Sequence, residues 1–502
     1  MKKPIVVVVG LDGASWYLLS KWIRAGQLPT FKKLVKHGVH SRLISTLPAM
    51  TCPAWKSLTS GLTPEQIGAF GFIIPNFRLK TCTFVDSNLL KGRNVWMYLS
   101  ERGFKVCVIN VPWSYPPSKV NGIFISGFPS TSQQDYTYPS SLKKLLTDIG
   151  YDIDLFGMVS IINKSRISLR EYIYQISLKF SLARVAIRLG YSFVFLVIFY
   201  IDKLSHFLWD DDTLLKVYKS IDKELSALLS ELDRSERPFA LFIVSDHGMY
   251  PTYVVFDLNT WLYKEGYLKL NGKMPEGTPR KRLGYILSLI FRIGILIAQI
   301  SVFSEILHLI LTALSKREST NRLLKRILVM SLDGKLNDVE LIKYINLNGT
   351  RAIALQQCIY VLERNPKERD KLIKEIARKL EEIRDPILNR RVVRRCVITK
   401  LRDPQRWPAI LLEPEKGVSI TNELSFSLQP FKAIDRRQRA WIANHVRDGI
   451  FIAYGSIIKR NAKLSSVDIK DLAPTILRIY GLPRGWMMKG RVLNSILYYK
   501  SA

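Results

Sequence analysis

Residues 1–13 read MKKPIVVVVGLDG. The β-branched run Ile5 to Val9 fits a strand buried on both faces, as in a parallel sheet. Gly10 and Gly13 bracket Asp12 just beyond it, the layout of an α/β sheet whose working residues sit at strand carboxyl ends. The basic pair and apolar run resemble a signal peptide, but the run is short, ends at Asp12 and lacks a small-residue cleavage site. The stretch is therefore read as a strand, and the protein as cytoplasmic.

The same texture recurs along the chain. Lys105–Val111, Phe193–Ile201 (FVFLVIFYI) and Phe239–Ser245 read as further strands. Between them Asp212–Leu232 carries Leu214, Leu215, Val217, Ile221, Leu225, Leu228 and Leu229 at helical spacing. Strands alternating with helices imply an α/β, doubly wound, mostly parallel sheet. From about 268 the texture changes: a basic triplet Arg280–Arg282, an apolar stretch 283–314, a charged helix Lys367–Arg384 and a basic run Arg390–Arg395. Trp407–Glu413 and Gly449–Tyr454 return to the earlier style. The expected organisation is a core over 1–267 and 406–502, interrupted by a cap over 268–405.

The chain has 502 residues, with 47% apolar and 23% charged, which excludes a disordered or fibrous protein. Seventy-five Lys and Arg against 42 Asp and Glu give a net charge of +33, a field favouring anionic partners. The five cysteines form no C-x-x-C pair, so neither a zinc knuckle nor a disulfide scaffold is indicated, and a reducing compartment is the simpler reading. Polar residues Arg292, Gln299, Glu305 and His308 interrupt 283–314, so a helical hairpin inside the cap is favoured over a span. Its basic flanks leave peripheral contact with an anionic membrane, at the inner face, as the second reading. Arg390–Arg395 lacks nearby aromatics to stack bases, which argues against nucleic acid as the primary partner.

Of six histidines, three stand in unusual company. Asp202 and His206 are spaced i, i+4 where a strand runs out, so both side chains can converge on one ion. Asp246 and His247 directly follow another strand, with Gly248 read as permitting the turn that lets neighbours share a site. His445 stands just ahead of a strand and, with Asp12, completes an inventory of three Asp and three His. Mixed oxygen and nitrogen donors suit zinc or a comparable divalent ion. Six ligands divide into two three-ligand sites, and two ions roughly 4 Å apart suit in-line phosphoryl displacement. Thr51, in TLPAMTCPAWKSLTSG (46–61), is the candidate nucleophile, because a threonine hydroxyl needs a base or cation beside it to react. Its plainer reading is a helix N-cap. Lys56 reads as a surface lysine and Cys52 as a buried apolar residue.

These residues resemble the type I phosphodiesterase/nucleotide pyrophosphatase family of the alkaline phosphatase superfamily, close to its archaeal branch. The resemblance rests on VVVVGLDG, LPAMTCPAWKSLTSGLTPEQIGAFGF, NVWMYLSERGFKVCVINVPWSYPP, IDKLSHFLW, FIVSDHGM, HVRDGIFIAYG and SSVDIKDLAPTILRIYGLP followed by GRVL, in family order over about 1–260 and 405–495. It implies that Asp12, Asp246 and His247 bind one zinc, with Thr51 reaching it, and that Asp202, His206 and His445 bind the second. It further implies a phospho-threonine route to hydrolysis of phosphate esters or nucleotides. Threonine at position 51 argues against sulfatase activity, which needs an oxidisable Cys or Ser there. The chain departs from the family in Ile67-Gly68-Ala69, where relatives often have His-Gly-Ile, and in Lys489, where an acid is common. The phosphate-contacting asparagine of nucleotide-cleaving relatives has no clear counterpart, Asn76 being too weak. A phosphomonoesterase, a phosphotransferase acting on lipid headgroups, or a membrane- or nucleic-acid-associated binding protein are the alternatives.

Overall fold

A computed structural model describes residues 2–130, 134–153, 169–209, 212–272, 335–336, 338–400, 403–404, 406–425, 427–434 and 442–498. The apolar stretch 283–314 and the triplet Arg280–Arg282 lie outside the described residues.

The centre is a nine-stranded sheet. Its strands are β1 (Ile5–Leu11), β2 (Val39–Ile44), β3 (Val106–Val111), β4 (Gly122–Ser126), β5 (Thr137–Tyr138), β6 (Phe193–Ile198), β7 (Phe239–Val244), β8 (Asp448–Tyr454) and β9 (Val467–Asp468). They lie in the order β9-β2-β8-β7-β1-β6-β3-β4-β5. The strands from β7 to β4 run parallel. β8 is antiparallel to both β7 and β2. Consequently β2 points the same way as β1, β6 and β7, and all four carboxyl ends open on one edge.

All of β1 is buried, and its alternation sorts two cores. Ile5, Val7, Val9 and Leu11 join one cluster with helices Leu169–Arg188 and Asp212–Arg234. Val6 and Val8 join the other, with Trp55 and Leu58 of helix Thr51–Ser60 and with helix Leu472–Ile479. Helices on both faces explain why the strand sequence is apolar throughout rather than alternating. The mostly parallel, doubly wound α/β sheet expected from the sequence is therefore present. One boundary differs: the strand read over Phe193–Ile201 stops at Ile198, and Ile201 belongs to helix Tyr200–Ser205. A buried strand running into a buried helix leaves no change in hydropathy to mark the join.

A second body of strands stands off this sheet. The hairpin Ala352–Leu355/Cys358–Val361 pairs with Ile410–Pro414, which pairs with Val393–Ile398. Trp407–Glu413, read from composition as a return to the core, thus contributes its strand to this other sheet; composition does not say which sheet a strand joins. Helix Pro366–Glu382 starts where Asn365 accepts from the N–H groups of Lys367 and Glu368, and buries Leu372, Ile373, Ile376 and Leu380 against the sheet. Val254–Asp257 pairs with Val418–Thr421 and Phe431–Ala433. Among the described residues no helix is long and apolar enough to cross a membrane.

Candidate active site

The seven residues singled out in the sequence, drawn from five segments, meet at the edge where β1, β2, β6 and β7 end. Asp12 follows β1 directly and is fully buried. Asp202 lies in helix Tyr200–Ser205 after β6, and His206 caps that helix, so one turn of helix sets both on one side. Asp246 and His247 follow β7 and are fully buried. His445 sits in strand Ala443–Val446, opposite Met249 of strand Gly248–Pro251. Thr51 opens the helix that follows β2 and is buried.

Two compact donor sets result: Asp12, Asp246 and His247, and Asp202, His247 and His445, with the ligand atoms of each set within 4.8 Å of one another. His247 Nε2 lies 3.0 Å from Asp246 Oδ2, 3.9 Å from Asp12 Oδ1 and 3.3 Å from Thr51 Oγ1. His445 Nε2 lies 3.1 Å from Asp202 Oδ1 and 3.3 Å from His206 Nε2, and its ring stacks on His247 at 3.7 Å. His206 thereby joins the second set, and His247 stands between the two.

The donor chemistry fits cations. His206 Nδ1 is 2.8 Å from the Ala443 carbonyl oxygen and His445 Nδ1 is 2.9 Å from that of Ala49. A carbonyl accepts only, so each Nδ1 carries the proton and each Nε2 turns a lone pair toward Asp202. Asp12 Oδ1, Asp202 Oδ1 and Asp246 Oδ2 are buried without a hydrogen-bond donor. Three buried carboxylates with bare oxygens are costly unless a cation compensates them. Burial, then the Asp246 and Asp202 carboxylates, push Asp12 well above its ordinary value. Burial would also raise Asp202, but His206 and His445 outweigh it and hold that carboxyl below the usual range. Burial lowers His206 to about 4, keeping it neutral as a ligand must be.

Several residues escaped the sequence reading. Trp55, one turn along the helix from Thr51, donates from Nε1 to Asp12 Oδ2 at 2.7 Å. It fits because Gly10 has no side chain: a Cβ there would lie 2.4 Å from Trp55 Cη2. Gly13 has a φ of 68° and donates its N–H to Asp246 Oδ1 at 3.2 Å. Gly248, expected to permit a turn, instead makes room for the Asp448 carbonyl oxygen, which a Cβ would meet at 2.1 Å. Lys56 is not a surface residue: it is buried, donates to the Gly92 carbonyl at 2.7 Å and to Asn94 Oδ1 at 3.0 Å, and burial lowers it to about 8. Cys52 is fully buried, as expected, and burial raises its thiol. The cap of helix Thr51–Ser60 is Met50, so Thr51 is its first helical residue rather than its N-cap. Asn76 accepts from Leu79 N–H at 3.2 Å inside a hairpin, a turn role.

Carboxylates and imidazoles gathered at the carboxyl edge of a doubly wound sheet make this an α/β protein with its polar site where open parallel sheets place theirs. The sequence matches the model of the type I phosphodiesterase/nucleotide pyrophosphatase family over residues 6–432, and the chain belongs to that family of phosphoester hydrolases. Its fold is similar to that of phosphonoacetate hydrolase from Sinorhizobium meliloti 1021, in complex with phosphonoformate, at 13% identity and a TM-score of 0.56 over 96% of this chain and 95% of that one. It is also similar to human ectonucleotide pyrophosphatase/phosphodiesterase 5, at 14% identity and a TM-score of 0.50 over 99% and 100%. No curated protein matches the sequence.

Proposed function

We propose that this protein hydrolyses phosphate diesters or nucleotide pyrophosphate bonds with two divalent cations and a phospho-threonine intermediate. Asp12, Asp246 and His247 would hold one cation, and Asp202, His206 and His445 the other, zinc by donor type. Bound there, the cations would supply the positive charge that acidifies the attacking groups and neutralises the phosphoryl oxygens. The observation that carries this reading is the convergence of bare carboxylate oxygens and Nε2 lone pairs around Thr51 Oγ1.

The chain's own part follows from placement. Thr51 attacks phosphorus from the positive end of its helix, where the dipole favours the incoming anion. Thr51 Oγ1 lies 3.3 Å from His247 Nε2, so the donor set that would hold one cation borders the hydroxyl, whose proton would pass to solvent as it is acidified. The alcohol or phosphate-bearing leaving group departs on the face opposite Thr51 and takes up a proton there, and water enters by that same face to release the remaining phosphate monoester from the threonine. Trp55 keeps Asp12 from rotating its second oxygen into the site. The described strands that pair off the central sheet, from Val254 to Ala433, are the proposed cap, wider at both ends than 268–405. The stretch 283–314 is retained as the candidate for contact with anionic lipid, which pelleting with anionic vesicles, with and without that stretch, tests.

The deciding experiment is turnover. Purified protein with zinc should cleave bis(4-nitrophenyl) phosphate, and Thr51→Ala or Asp246→Ala should abolish cleavage. Fast 4-nitrophenyl phosphate hydrolysis without any diester cleavage overturns the assignment.

A further inference from the structure

The basic run ending at Arg395 plays no part in the chemistry above, yet it leads to the metal-ligand cluster. A narrow cleft is lined by Ala49 and His445 on the catalytic side and by Gln357, Arg394, Glu413 and Lys416 on the other. Charge around it is unbalanced. Glu413 is shared by Arg394 at 3.6 Å, Arg395 at 2.9 Å and Arg447 at 3.2 Å. Asp448 is shared by Arg42 at 3.6 Å and Lys416 at 3.0 Å. Five cations around two carboxylates leave an excess of three positive charges beside a catalytic histidine.

The backbone departs from regularity twice to build this wall. Val393 faces Pro414 while Arg395 faces Glu413, so Arg394 is the extra residue of a β-bulge. Neighbours on a regular strand point to opposite faces; the bulge lets Arg394 and Arg395 both reach Glu413. Gln356 and Gln357 form the tip of the 352–361 hairpin with φ of 51° and 61°, a left-handed pair that non-glycine residues rarely adopt. The tip is held by Gln356 Nε2 donating to the Ile73 carbonyl at 2.9 Å and by Gln357 N–H donating to Asn422 Oδ1 at 3.0 Å. Gln357 is thereby fixed at the cleft.

The geometry points to this cleft as the seat of a second anionic group of the substrate, a phosphate or carboxylate carried by the leaving group. The inference rests on the proposed hydrolase reading. In-line attack by Thr51 expels the leaving group toward the Asp202, His206 and His445 side, and His445 is the residue the cleft shares with that set. Guanidinium and ammonium groups not satisfied by one carboxylate each are suited to take further oxygens.

Two thymidine nucleotides with the same transferred group test this: thymidine 5′-triphosphate, with an anionic leaving group, and thymidine 5′-(4-nitrophenyl) phosphate, without one. The ratio of their kcat/KM values should fall about tenfold in Arg394→Gln, and further in Arg394→Gln/Lys416→Gln, the order expected for each charge-assisted hydrogen bond lost. Both side chains are about half exposed, at 57% and 47%, so the fold tolerates the changes. In parallel, calorimetry on the zinc-loaded Thr51→Ala protein measures pyrophosphate and phosphonoacetate binding. Weakening of one ligand in the variants identifies phosphate or carboxylate as the group held. An unchanged ratio, or binding of both ligands as in the parent, overturns the subsite. If neither nucleotide is cleaved, the hydrolase reading fails, and the calorimetric arm still decides the subsite.

Discussion

Trp55 and Asp12, forty-three positions apart, are joined by a 2.7 Å hydrogen bond in a fully buried setting, so the helix that begins with Thr51 is tied to the carboxylate that ends β1. Trp55→Phe would remove that donor and leave Asp12 Oδ2 bare. A loss of about 1–3 kcal/mol in stability is expected, measured by urea unfolding in chelator. Zinc affinity should also fall about 10–100-fold, as when a group orienting a ligand is lost. Wild-type zinc affinity in Trp55→Phe would rule out a positioning role.

Removing metal should destabilise the protein. Asp12, Asp202 and Asp246 hold buried oxygens without donors, and a cation bound only by the folded state adds stability by mass action. Thermal unfolding in EDTA should therefore begin at a lower temperature than in zinc, with the difference growing with zinc concentration. Identical melting curves would count against the dimetal reading.

Lys56 gives a pH signature. Burial lowers its folded value to about 8 from the ordinary 10.5. Between those two values the unfolded chain binds the extra proton, so this residue's contribution makes the protein more stable as pH rises, by up to about 3 kcal/mol. Below pH 8 both states are protonated and the penalty is complete. The stability difference between wild type and Lys56→Met should thus change across pH 8 to 10.5 and be flat below it; a constant difference throughout refutes the assignment.

Gln356 fastens the outer sheet to the segment that follows helix Thr51–Ser60. Its side chain accepts from the N–H groups of Phe72 and Ile73 and donates to the Ile73 carbonyl. Gln356→Ala should cost about 1 kcal/mol or more, since three half-buried backbone groups lose their partner. Hydrogen exchange should quicken at 72–73 and along the 352–361 hairpin while β1 stays protected. Unchanged exchange at 72–73 would show that the contact does not hold the two parts together.

What the sequence by itself determined is the repeated strand-then-acid pattern: five β-branched residues before Asp12, an apolar strand before Asp202, another before Asp246-His247. A parallel sheet buried on both faces writes itself as apolar runs, and its open carboxyl edge as the polar residues that follow, so fold class and candidate ligands were legible together. Only the tertiary structure decided how those residues share space. His247 stands between both donor sets, Trp55 reaches Asp12 through the gap left by Gly10, and Gly248 serves a carbonyl two hundred positions away. Lys56, read as a surface lysine, is buried, and Trp407–Glu413, read as a return to the core sheet, gives its strand to the outer one, because burial and sheet membership depend on what packs from distant parts of the chain. Local hydropathy records which face is apolar; it carries no record of the partner that covers it.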